Sequence, residues 1–342
     1  SVLLLHRSDY GCCNTLLAEQ VGMLGRYTEA FFPELVYVRP QGQIEKRDSL
    51  EGSAFIDFPV DQTMIYPDYR RNTAELGKIQ SSIDSVRNDT DITITSVWLK
   101  GYASPEGSYA HNKELAIGRT AALKRYIQQL YRFEGDVITT DYEPEDWAGL
   151  RYYVERSNLA HRAEIVTLID GNLEPDAKEW KIKRDYPMEY SFLLQNCYPA
   201  LRHTDYRIAY TIRSYSDVEE IKRIMCERPQ KLDLNEFYLA AQEYEPGTDE
   251  FTEVFETAVR MFPDDTIANL NAANAAMRRG DLTSAKRYLA KADDSPEAVY
   301  ARGALAIRQK DYDSARRYLN EAKSLGLEQA GITLEQLEKG RR

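Results

Sequence analysis

Ile92-Thr93-Ile94-Thr95-Ser96-Val97-Trp98-Leu99-Lys100-Gly101-Tyr102-Ala103-Ser104-Pro105-Glu106-Gly107 is the stretch from which the fold of this chain is read. From Ile92 to Leu99 β-branched and polar residues alternate with period two, which predicts a strand running into Gly101. The glycines and proline that follow turn the chain. Leu115, Ile117, Ala121, Ala122, Leu123, Ile127 and Leu130 then fall on the apolar stripe of a long helix. Past a break at Gly135, Val137-Ile138-Thr139-Thr140 predicts another strand. A strand, a helix and a strand in this order imply parallel pairing through a right-handed crossover.

The same alternation extends in both directions. Upstream, Phe55 and Phe58 bracket Asp57 in a short β-rich stretch closed by Pro59, and Leu76, Ile79, Ile83 and Val86 recur at helical spacing. Downstream, Asp146 is placed to cap a helix through Val154 and Ser157, and Ala163 to Ile169 predicts another ending at Gly171. A polar, proline-bearing stretch from Glu174 to Pro199 reads as an insertion, and Tyr206-Arg207-Ile208-Ala209-Tyr210-Thr211-Ile212 as the final strand. The expectation from these residues is one α/β domain over 52–216, built from four strands and at least two crossover helices, with an insertion at 143–200. Residues 1–51 are expected to hold one helix, through Leu16, Leu17, Val21 and Leu24, and one strand, Leu35-Val36-Tyr37-Val38, ended by Pro40.

After Ser216 alanine, leucine, arginine and glutamate dominate. Asp281-Leu282-Thr283-Ser284-Ala285-Lys286-Arg287-Tyr288-Leu289 returns 30 residues later as Asp311-Tyr312-Asp313-Ser314-Ala315-Arg316-Arg317-Tyr318-Leu319. Ala258 before Pro263 stands 34 positions ahead of Ala292 before Pro296. Residues 217–342 are therefore expected to be an all-α array of stacked helix pairs. Val218, Ile221 and Ile224 are expected to dock this array on the domain before it.

The chain has 342 residues, 43% of them hydrophobic and 29% charged, enough to bury a core. Its net charge of −11 opposes binding to polyanions, so nucleic acid is not an expected partner. The apolar run Val2-Leu3-Leu4-Leu5 is interrupted by His6, Arg7 and Asp9, too short for a membrane span or a secretory signal. A cytoplasmic protein and a mature form whose leader is missing both fit that pattern. Cys12, Cys13, Cys197 and Cys226 lack metal-ligand spacing and read as ordinary thiols. His6, His111, His161 and His203 are scattered without a metalloprotease pair, and no nucleophile elbow or phosphate loop is present. Glu143, Glu145 and Asp146 are sequence neighbours, whereas a glycosidase needs carboxylates on two sides of a sugar. A non-enzymatic protein without cofactor or metal is the expectation.

Two resemblances add to this reading. Ala273, Ala285, Tyr288 and Ala292, then Gly303, Ala315, Tyr318 and Ala322, resemble the tetratricopeptide (TPR) family over residues 233–326, with a repeat of 30 residues that implies a shortened interhelix turn. Gly101, Gly107, Asn112, Leu115 and Arg119, with Tyr206-Arg207-Ile208, resemble the OmpA-like peptidoglycan-binding domain over residues 52–216, which implies an α+β fold, a βαβαβ sandwich with a mixed sheet. In that family an arginine and an aspartate hold the zwitterionic end of diaminopimelate in the wall peptide. Carried over, Arg119 is the carboxylate partner, Asn112 orients the loop, and Arg207 matches the final strand. Ser104 stands at the aspartate position, where a hydroxyl offers only a neutral acceptor, and Glu106 is the residue that could restore the charge. The combination resembles envelope proteins of Bacteroidetes, and implies the periplasm or the outer membrane. Two functions follow: an adaptor that contacts peptidoglycan through the loop and a protein partner through the helical groove, or a scaffold whose OmpA-like domain no longer binds the wall.

Overall fold

The computed structural model describes residues 2–7, 18–24, 31–43, 45–59, 62–133 and 136–339. They form two compact units, one of residues 44–214 and the other of the chain up to Gln43 together with the chain from Tyr215. The first is α+β and the second mainly helical.

In the α+β unit, β3 (Lys46–Ala54), β4 (Ile92–Tyr102), β5 (Ile138–Glu143) and β6 (Thr204–Ile212) build a mixed four-stranded sheet of order β3-β6-β4-β5. β4 pairs β5 in parallel, as the strand-helix-strand order requires, whereas β6 runs antiparallel to both β3 and β4. α1 (Asn72–Arg87) and α2 (Tyr109–Tyr131) bury Leu76, Ile79, Ile83, Leu123 and Ile127 against Val97, Leu99, Ile138 and Ile208 of the sheet. The contact is close at Gly101, where an added Cβ would stand 1.9 Å from Thr120 Oγ1 and 3.2 Å from the Ala116 carbonyl. The first strand lies earlier than its sequence suggests: β3 ends at Ala54, and the Phe55–Phe58 stretch leaves the sheet. β3 is an edge strand with solvent-facing charges, and such strands lack a clean apolar alternation.

Between β5 and β6 the chain forms a helical subdomain with its own core. α3 (Trp147–Glu155), α4 (Arg162–Asp170), α5 (Pro175–Asp185) and α6 (Pro187–Asn196) enclose Leu150, Val154, Ile165, Ile182, Leu193 and Tyr198. Asp146 caps α3 through the Gly149 N–H at 2.8 Å, as expected. The prolines of the inserted stretch open α5 and α6 at their first turns, where a missing N–H costs nothing.

The helical unit begins with α7 (Val218–Glu227) and α8 (Leu234–Ala241), followed by α9 (Asp249–Met261), α10 (Thr266–Arg279), α11 (Leu282–Leu289), α12 (Pro296–Arg308), α13 (Tyr312–Ser324) and α14 (Glu328–Lys339). Asp281 and Asp311, the repeated aspartates, cap α11 and α13 through Ser284 and Ser314. The short repeat has its origin in α11, which has 8 residues against 13 in α13, and not in a shortened turn. α7 packs on α8, and Ile221 and Ile224 are buried.

The chain ahead of β3 departs from expectation. Ala18–Leu24 is a strand, β2, paired antiparallel with β1 (Val2–Arg7), so Val21 and Leu24 lie on a strand and not on a helix; Leu16 and Leu17 fall outside the described residues. Leu35-Val36-Tyr37-Val38 is extended but joins no sheet. Instead it packs on the helices. Leu35 is buried beside Leu270, Ala273 and Met277, and Phe31 and Val36 pack against a cluster containing Val299 and Tyr300. Its backbone polar groups, which in a strand would bond to a neighbour, are bonded to helix side chains. Asn271 accepts from the Val38 N–H at 2.9 Å and donates to the Val38 carbonyl at 2.7 Å, Asn274 donates to the Val36 carbonyl at 2.7 Å, and Tyr300 donates to the Glu34 carbonyl at 2.6 Å.

Candidate functional site: an arginine-rich cleft at one end of the sheet

Because β3 and β4 are each antiparallel to β6, and β5 is parallel to β4, the carboxyl ends of β3, β4 and β5 gather at the amino end of β6. The chain leaving β3 and β4 and the chain entering β6 line a cleft of about 810 Å³. Phe55 to Phe58 form one wall, the loop after β4 and the first turns of α2 a second, and the chain from Gln195 to Arg202 a third.

The loop after β4 is tied at both ends. Ala103 donates to the Glu143 carbonyl at 3.3 Å and its own carbonyl accepts from Asp146 N–H at 3.0 Å. At the other end Gly107 has φ +96, a left-handed turn that a side chain would strain, and Ser108 then caps α2 by accepting from the His111 N–H. Asn112 is 3% exposed and points back under this loop, donating to Glu145 Oε1 at 2.9 Å. The other Glu145 oxygen accepts from Trp147 Nε1 at 2.8 Å. Burial pushes the Glu145 carboxyl above its ordinary range, and the two donors partly oppose that. Asn112 thus ties the first turn of α2 to the chain that follows β5.

Ser104, Glu106, Asn112 and Arg119 all line the cleft. The half-buried Arg119 guanidinium lies 5.1 Å from the centroid of the Phe58 ring. Ser104 and Glu106 are turned to a different use from the one their positions suggest. Arg202 Nε donates to Ser104 Oγ at 3.0 Å, and Arg202 Nη2 forms an ion pair with Glu106. The carboxylate that was expected to replace the missing aspartate is therefore neutralised by an internal guanidinium.

Arg207 is not part of this group. It projects from the opposite face of β6, exposed, where its guanidinium pairs with Glu51 at 2.5 Å and stands 5.7 Å from the Trp98 ring centroid. Alternation decides this: Tyr206 and Ile208 face the helices, so Arg207 faces away.

Sequence does not single out Arg70, Arg71, Arg202 or Asp57 as site residues, yet all of them line the cleft. Asp57 is positioned by buried Asn72, which accepts from the Asp57 N–H at 2.7 Å and donates to the Asp57 carbonyl at 2.9 Å. Arg70 pairs loosely with Asp57 at 3.5 Å and holds φ at +51, a conformation uncommon for a residue with a side chain. The only sequence signal for such a residue is a cluster of arginines in a turn, which is equally common on inert surfaces. Four arginines against two carboxylates line the cleft, on a chain whose net charge is −11. Local cationic density of this kind attracts anions.

Behind the cleft, His203 stacks on Tyr102 at 4.3 Å and pairs with Asp205 at 3.4 Å. Burial alone would lower the imidazole pKa, but the bond to Asp205 and the charges of Asp205 and Asp146 outweigh it and raise it. Among the described residues no group of three His, Cys, Asp or Glu side chains is placed to hold a metal ion, and no helix is long and apolar enough to cross a membrane. Cys197 and Cys226 are free thiols, the former buried, while Cys12 and Cys13 lie outside the described residues. Comparison with protein-family models and with curated proteins finds no match to this chain.

Proposed function

We propose that this chain is a non-enzymatic cell-envelope adaptor whose α+β unit contacts peptidoglycan through the arginine-rich cleft and whose helical pairs receive a protein partner. The observation that carries the reading is the convergence of Arg70, Arg71, Arg119 and Arg202 on one open cleft beside the loop that resembles the OmpA-like family. A planar guanidinium fork matches a carboxylate with two bonds, and wall stem peptides carry several carboxylates. With Glu106 engaged by Arg202, the ammonium half of a diaminopimelate zwitterion has no unpaired loop acid to meet. Recognition in this reading is therefore of carboxylate. The envelope location, periplasmic or at the outer membrane, goes with it.

Sedimentation of the full-length chain with purified sacculi tests the proposal. Arg119→Ala is expected to weaken the affinity read from the binding curve at least tenfold, as removal of a charge-assisted pair worth roughly 1.5–3 kcal/mol requires. Arg207→Ala, on the far face, should leave it unchanged. Equal binding by wild type and Arg119→Ala rejects the site.

The Arg202 contact also favours a second reading, in which the α+β unit is scaffold only and the protein assembles partners, for example in fimbrial or outer-membrane assembly. Ser104→Asp combined with Arg202→Ala would give the loop two unpaired carboxylates. If neither wild type nor this double variant sediments with sacculi, the scaffold reading holds.

A further inference from the structure

Residues 31–43 relate to the helices as a peptide relates to a groove. They cross the first helices of successive pairs, α8, α10 and α12: the Gln43 N–H donates to Asp233, the cap of α8, at 3.1 Å, and the carbonyls of Glu34, Val36 and Val38 are each held by a side chain of α10 or α12. Those are alternate residues of an extended chain, so the helices read one edge of its backbone. None of these bonds uses a side chain of the segment, and an extended segment of another sequence can make them equally well.

The inward side chains supply what selectivity there is. Leu35 is buried, and Phe32 lies under the guanidinium groups of Arg278 and Arg308, 5.4 and 4.8 Å from its ring centroid. Tyr37 enters a pocket made by two phenylalanines, edge-on to Phe251 at 5.1 Å and stacked on Phe255 at 5.4 Å. Its fit has one flaw. Among the described residues the buried Tyr37 hydroxyl has no hydrogen-bond partner, which costs the segment binding free energy that a phenylalanine would not lose.

We propose that residues 31–43 are an internal ligand that keeps this groove shut, and that it opens to an extended segment of a partner protein carrying phenylalanine where this chain has Tyr37. The inference rests on the reading in which the helical pairs receive a protein partner, and narrows it to exchange. A tethered occupant competes at an effective concentration on the order of millimolar, so a partner must fit better than the internal segment does. A second copy of this chain brings the same Tyr37 and gains nothing over the occupant it would replace.

The test uses the full chain and fluorescein-labelled synthetic peptides with the sequence of residues 31–43, in the parent form and with Tyr37→Phe. In the chain, Leu35→Glu expels the internal segment and leaves every groove residue in place. Both peptides are expected to bind Leu35→Glu at least tenfold tighter than wild type, and the phenylalanine form about tenfold tighter than the parent. Adding Asn271→Ala and Asn274→Ala should abolish binding. A Leu35→Glu chain that keeps its helical circular dichroism yet binds neither peptide, or binds a scrambled one equally well, overturns the proposal. So does a Leu35→Glu chain that dimerises and refuses the peptides, which would mean exchange between copies. If Leu35→Glu unfolds the helices, hydrogen exchange at the Val38 amide of wild type decides: excess phenylalanine peptide should accelerate it, and an unchanged rate overturns the proposal. A partner that still co-purifies with Asn271→Ala/Asn274→Ala leaves the adaptor reading standing while rejecting exchange in the groove.

Discussion

At the scale of single residues, the cleft is held by polar side chains that are themselves buried. Asn112 is the clearest case, because its amide is one of two donors to the Glu145 carboxylate. Asn112→Ala should destabilise the α+β unit by about 1–3 kcal/mol at neutral pH, the cost of leaving a buried acceptor short of a donor. The sign with pH follows from Glu145, whose folded pKa lies above its usual 4.5. The folded chain binds that proton more readily than the unfolded one, so the defect of the variant should shrink as pH falls through the folded value. Urea denaturation of both proteins at pH 7 and pH 5 measures it; a defect that grows toward pH 5 contradicts the account. Arg202 shows the limit of reading such positions from spacing. It lies 98 residues from Ser104, and nothing in the local sequence announces that it closes on that loop.

Elements differ in how openly the sequence declares them. β4 and α2 are legible because one face of each is more buried than the other, giving periods of two or of three to four residues, whereas β5 is legible from its β-branched start, Ile138-Thr139-Thr140. β3 is hidden from periodicity because an edge strand keeps charges on both sides, and β2 reads as a helix because four apolar residues in a short window satisfy either period. In the helical unit the repeat is legible down to its caps. Asp265 accepts from the N–H groups of both Ile267 and Ala268 at 2.9 Å, and α10 carries the two asparagines that grip residues 36 and 38. Asp265→Ala should cost about 1 kcal/mol and fray the first turn of α10. Thermal melting with amide exchange along α10 reports it; protection at Ala268 equal to wild type would show that the cap contributes little. The cleft residues on α2 were predicted from a motif. Those on the walls, Arg70 and Arg71, come from an irregular turn, where neither periodicity nor spacing carries information.

At the scale of the whole molecule, the α+β unit is inserted into the helical one. Its first and last strands are paired, Lys46 opposite Ile212, so the two ends of the α+β unit lie side by side. Removing residues 1–43 should therefore spare the sheet and weaken the helices. Leu35 is lost entirely, with parts of Phe31, Phe32, Val36 and Tyr37, at roughly 1.5–3 kcal/mol for each side chain that is fully buried. Calorimetry of the truncated chain is expected to show the helical transition moved down by several degrees and the other unmoved. A common downward shift of both transitions would contradict this separation. The same threading has a consequence for biosynthesis. Glu34 is translated 266 residues before Tyr300, its hydrogen-bond partner, an interval of tens of seconds at about 5–20 residues per second. Throughout that interval the nascent segment lacks its seat while the sheet has all four of its strands by Ile212. A ribosome-stalled chain ending near residue 250 should thus hold a finished α+β unit behind an unsheltered Phe-Pro-Glu-Leu-Val-Tyr, the form in which a chaperone would meet it.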